Sequence, residues 1–134
     1  MGLVTVSEVD PFDLPDWLGG ADVVWESEAG LRSSHLVPGT LLGGVDDRLA
    51  CTLLAADEAY PVAVVADDVR SRAHQAWRHG QVLLIERDQN LTVAVPGRRF
   101  DADLVMEAIA RLAKAVGASP EEWAVRLRIG SARR

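Results

Sequence analysis

Residues 81–96, QVLLIERDQNLTVAVP, decide how this chain is read. Val82-Leu83-Leu84-Ile85-Glu86-Arg87 runs into Asp88-Gln89-Asn90 and returns as Leu91-Thr92-Val93-Ala94-Val95. That is a hairpin, and Asn90 tolerates the positive φ that a three-residue loop needs. The first strand is apolar on both faces, which predicts a place inside the sheet with burial on both sides. Pro96-Gly97 closes the second strand.

Upstream, residues 66–79 predict a helix. Val69, Ala73, Ala76 and Trp77 share one face, Arg70, His74 and Arg78 another. Asp67 or Asp68 is the expected N-cap, and Gly80 the stop. Residues 21–60 read as a meander of about three strands, antiparallel because its connections are short. Val23 and Trp25 share a face of the first strand, and Leu49, Cys51 and Leu53 a face of the third. The second, 32–42, is broken by Pro38-Gly39, which predicts a bulge or an edge. Residues 1–20 form an irregular arm in which Pro15 opens one short turn and Trp17 and Leu18 anchor it.

Downstream, residues 101–116 carry a continuous apolar stripe from Leu104 to Val116, with Glu107 and Arg111 as an outward pair four residues apart. Ser119-Pro120-Glu121-Glu122 is a helix start. The segment after it reads two ways. Trp123, Ala124 and Leu127 suit a helix, whereas Val125-Arg126-Leu127-Arg128-Ile129 alternates like a strand; the start signal favours a helix ending near Gly130. Strands precede helices, so the expected fold is α+β: an antiparallel sheet of about five strands with the helices on one face. The expected organisation is an arm over 1–20, one domain over 21–130 and a frayed tail over 131–134.

The chain has 134 residues, enough for one domain. Its 49% hydrophobic content is that of a globular protein. It holds no apolar run of the roughly 18 residues that a membrane span requires, so no membrane partner is expected. The first residues lack a basic flank and a signal-peptide core, from which a cytoplasmic location is expected. The net charge of −6 divides into −11 over residues 1–68 and +5 over residues 69–134. An acidic chain is a poor partner for nucleic acid, though its basic half leaves that contact as a third expectation.

Chemistry is sparse. His35, His74, His79 and Cys51 show no metal-ligand spacing, and no metal or cofactor is expected. Cys51 lies among apolar neighbours, and Ser33-Ser34-His35 places adjacent residues on opposite strand faces, so no nucleophile stands beside a base. The acid pairs Asp46-Asp47, Asp57-Glu58 and Asp67-Asp68 fit solvated turns and a helix start. The most suggestive cluster is Arg70, His74, Trp77, Arg78 and His79, a cationic stripe beside an indole. Trp25 and Trp123 join Trp77 as candidate partner contacts, since tryptophan is enriched in interface hot spots.

The stretch from Ala73 to Gly117, AHQAWRHGQVLLIERDQNLTVAVPGRRFDADLVMEAIARLAKAVG, resembles conserved uncharacterised proteins of actinobacteria. In element order, residues 21–117 also resemble type III secretion chaperones and YbjN-like domains. That resemblance implies a dimer that binds protein segments. Residues 13–18 are shorter than the first helix of those chaperones, and no site residue carries over. The leading expectation is therefore a non-enzymatic, chaperone- or adaptor-like interaction domain that forms a homodimer. The alternative is a small-ligand or anion-binding protein, with catalysis left open, that uses Arg70, His74 and Arg78, with Arg98 and Arg99 beside them.

Overall fold

The computed structural model describes residues 7–20, 22–28, 30–31, 35–57, 65–87 and 89–127. The turns expected at 29 and 58–61, the Ser33-Ser34 pair, and the tail at 131–134 lie outside them. The strands are β1 (Ser7–Glu8), β2 (Val24–Ser27), β3 (Leu36–Val37), β4 (Thr40–Leu42), β5 (Arg48–Ala55), β6 (Leu83–Arg87), β7 (Asn90–Val95) and β8 (Ala124–Leu127). The helices are α1 (Asp67–Arg78) and α2 (Ala102–Ala115). One sheet runs in the order β1-β6-β7-β5-β4-β2-β8, with β3 paired to the far end of β5.

The expected meander is present: β2, β4 and β5 pair antiparallel in sequence order. β3 and β4 pair with β5 in one continuous register, Leu36 opposite Leu54 and Thr40 opposite Ala50. No residue is inserted at Pro38-Gly39, so the break is an interruption and not a bulge. The Gly39 carbonyl accepts from Cys51 N at 2.9 Å. That turns the backbone of Pro38 away from β5, where its missing N–H costs no ladder bond. The hairpin is present too, but Arg87 pairs with Asn90, so its loop is Asp88-Gln89 and Gln89 takes the positive φ of 65°. Asp88 lies outside the described residues.

The sheet is mixed, which corrects the antiparallel expectation, and it has eight strands among the described residues where about five were expected. β5 and β7 are parallel because the chain leaves β5, crosses through α1, and fills the outer position with β6 before β7 returns beside β5. Short connections fix only antiparallel neighbours, and a long crossover sets the parallel pair. The second parallel pair, β2 with β8, corrects the expected C-terminal helix. The Ser119 hydroxyl bonds Glu121 Oε1 at 2.5 Å and caps no backbone N–H, so the helix start yields a single 3-10 turn, Pro120–Glu122. The alternation beyond it then wins, with Val125 and Leu127 packed inward.

The helices lie on opposite faces, another correction. Cys51, Leu53 and Ala55 of β5, Val93 and Val95 of β7 and Leu84 of β6 pack in one cluster with Val105, Ala108, Ile109 and Leu112 of α2. The intervening Leu54, Ala94, Leu83 and Ile85 pack with Val69 and Ala73 of α1. Successive strand residues point to opposite faces, so two-sided apolar strands demand a cover on each side. α1 is capped by Ala66 without a side-chain bond, and Asp67 and Asp68 sit in its first turn instead. α2 is capped as its sequence suggests, Asp101 Oδ1 accepting from Leu104 N at 2.8 Å. The N-terminal segment turns at Pro11–Asp13 and Asp16–Gly19 and buries Leu18 in the α2-side cluster.

Trp25 is fully buried and donates from Nε1 to the Cys51 carbonyl at 2.9 Å. Its ring occupies the space a side chain at Gly39 would need: a Cβ there would meet the indole at 2.4 Å. Gly39→Ala is therefore expected to cost about 2 kcal/mol by overpacking. Gly44→Ala, whose near neighbour is the tip of the Asp47 side chain, should cost under about 0.5 kcal/mol. Urea denaturation of the two variants beside the parent checks both.

Candidate functional site

The cluster expected on α1 does not converge. Arg70 bonds Asp67 Oδ1 at 3.3 Å one turn back along the helix. His74 Nε2 lies 2.8 and 2.9 Å from the two oxygens of Asp57. Asp57 Oδ2 also accepts from Gly97 N at 3.0 Å, and Asp57 N donates to the Gly97 carbonyl at 2.8 Å. One carboxylate thus ties α1, the end of β5 and the turn after β7 together. Asp57 read as solvated turn chemistry in the sequence; its partners stand 17 and 40 residues away, a separation that no local pattern encodes. Arg78, His79, Arg98 and Arg99 are exposed.

Trp77 is half-buried beneath Arg111, whose guanidinium carbon stands 3.6 Å above the ring. Arg111 Nε donates to Glu107 at 2.8 Å, as the spacing suggested. Its Nη1 donates to the carbonyls of Trp77 at 2.8 Å and Gln81 at 3.1 Å. Arg111 is only 17% exposed, and it clamps the C-terminal end of α1 to α2. The pairing of Trp77 with Arg111 had no sequence signal, since the two lie 34 residues apart on different helices.

Trp25 and Trp123 face inward. Trp123 is 7% exposed, and its buried Nε1 has no hydrogen-bond partner among the described residues, nor has Ser27 Oγ. Cys51 is fully buried, and loss of solvent pushes its thiol up to about 12 from the ordinary 9.0. Among the described residues no group of three or more His, Cys, Asp and Glu gathers to hold a metal ion. No helix there is long and apolar enough to cross a membrane.

Two surface features remain. The first is a cleft of about 490 Å³ where β1 leaves β6, walled by Val9, Val82, Leu84, Arg111 and Lys114. Arg70, His74 and Arg78 are not among its lining residues. The second is the far edge of the sheet. Ala124 N donates to the Val23 carbonyl at 2.9 Å, so Ala124 turns its backbone groups to β2. Those of Val125 and Leu127 consequently face the open side, where no described strand pairs with them. Comparison with family models, with curated proteins and with solved structures finds no match.

Two outcomes are expected. Asp57→Ala should cost about 1–2 kcal/mol, because Gly97 N–H loses its acceptor along with His74, whereas the partly exposed His74→Ala should cost under about 1 kcal/mol. Thermal melts of both variants read the order. The Cys51 thiol should resist iodoacetamide in the native protein and label fully in denaturant. Its raised pKa means that its contribution to stability is intact below 9.0 and is lost as pH rises towards about 12.

Proposed function

We propose that this protein works by association, as a non-enzymatic interaction domain that pairs with a second copy of itself through β8. The observation that carries this reading is the backbone of Val125, whose N–H and C=O face away from β2 on the terminal strand. An unpaired edge is a template for another strand, and natural sheets blunt such edges with charged side chains, proline, bulges or very short strands. At the opposite edge β1 ends at Glu8 and the chain turns off at Pro11. β8 carries no proline or bulge over its four residues. Its Arg126 is drawn towards β2 by Glu26, at 3.1 Å. A two-fold axis beside β8 makes the contact self-complementary, the commonest route to a dimer.

The exposed large apolar side chains support an edge contact over a hydrophobic patch. Among the described residues the exposed large apolar side chains are Phe12, Val45 and Met106, in a 3-10 turn, in the β4–β5 loop and on α2. The tryptophans proposed as hot spots point the same way, since Trp25 and Trp123 are buried and Trp77 is covered by Arg111. The burial of Cys51, which pushes its thiol pKa up and keeps it unreactive, favours binding over thiol catalysis.

Sedimentation at micromolar concentration is expected to give a dimer. Val125→Pro removes an N–H that the parallel ladder does not use, so the variant should keep a cooperative melt and sediment as a monomer. A monomeric parent, or a folded proline variant that remains dimeric, would overturn the assignment.

A further inference from the structure

We infer that the cleft between β1, the α1–β6 turn and the end of α2 is a binding site for a small organic carboxylate with an aliphatic body. The cleft holds about 490 Å³, within the range of small-molecule sites. It lies at the β1–β6 edge, opposite β8, so it is independent of the proposed dimer contact.

Arg111 supplies the recognition. A guanidinium has five N–H donors, and three of these are spent, on Glu107, the Trp77 carbonyl and the Gln81 carbonyl. Stacking on Trp77 at 3.6 Å fixes the plane of the group. Among the described residues neither donor of Nη2 has a partner, and the side chain is mostly buried and lines the cleft. A group held this rigidly loses little freedom when it binds an anion. Lys114 lines the same wall three residues further along α2 and adds a second positive charge. The acid at the cleft, Glu8, is committed elsewhere, its Oε1 bonded by Arg72 at 2.6 Å. Val9, Pro11, Val82, Leu84 and Ala115 line the rest of the cleft together with Gly80 and Gln81. Two cations on one wall, with Val9, Pro11 and Ala115 among the other lining residues, fit a carboxylate at the head of a short aliphatic chain.

The test is titration of the intact protein with octanoate, followed by amide and arginine Nε resonances. Saturable shifts are expected at Gln81, Val82, Ala115 and Arg111 Nε. Lys114→Gln, a change on the exposed face of α2, should weaken binding about threefold to tenfold. Arg111→Lys gives up bonds to Trp77 and Gln81 and should melt lower, and at a temperature where its amide spectrum is that of a folded protein it should not bind. A short peptide ending in leucine, run with its amidated form, shows whether the carboxylate belongs to a free acid or to a chain terminus; binding of either acid form supports the site. The inference is overturned if neither acid form binds, if octanol binds as well as octanoate, or if Lys114→Gln leaves the affinity unchanged.

Discussion

β5 is apolar on both of its faces, and a strand of that kind cannot sit at the surface of a sheet. Cys51, Leu53 and Ala55 look towards α2, and Leu54 towards α1. Water must be excluded from both sides, so the chain has to supply a cover for each face and a neighbour for each edge. β3 and β4 take one edge and β7 takes the other. The same demand falls on β6 and β7, whose Leu83, Leu84 and Ile85 and whose Val93, Ala94 and Val95 are buried on alternate faces. The crossover through α1, the return of β7 beside β5 and the placement of α2 beneath the sheet all follow from burying that block.

Much of this was legible because it is local. The hairpin, the two helices and the meander rest on periodicity, a helix-stopping Gly80 and an Asp101 cap, all of which act within a few residues. The two-sided apolar run at 82–85 also carried the information that both faces are covered, which is inconsistent with helices on one side only. What local pattern could not supply was the partner of each strand edge. The parallel pairing of β5 with β7 and of β2 with β8 joins residues about 40 and 100 apart. At 119–127 two local signals competed. The capping residues won one turn, and the alternation of Val125 with Leu127 won the strand because β2 offered an edge to pair with.

The candidate sites divide along the same line. Arg70, His74 and Arg78 share a helix face, as their spacing says, yet a shared face is convex, and Arg70 and His74 turn to the carboxylates of Asp67 and Asp57. The residues that enclose space include Arg111 and Lys114 on α2, Val82 just before β6 and Leu84 within it, and these belong to segments that the sequence describes separately. Arg111 was read as one member of a surface pair. Its second task, holding the carbonyls of Trp77 and Gln81, arises only once α1 and α2 are brought to the same end of the sheet.

The division of charge between the two halves of the chain gains a structural meaning. Among the described residues, the pairs Arg70–Asp67, Arg72–Glu8, Arg72–Asp68, His74–Asp57 and Arg126–Glu26 each join an acid of the first 68 residues to a base of the remainder. Exposed pairs of this kind contribute little to stability one by one. Two of them lie within α1, and the effect of the other three is on arrangement: Arg72–Glu8 fastens β1 to α1, His74–Asp57 the β5 end to α1, and Arg126–Glu26 β8 to β2. Charge that is spent inside the fold is not available to draw copies together by long-range attraction. Under the proposed pairing, association comes from directional bonds instead, and the edge of β8, unpaired among the described residues, offers them.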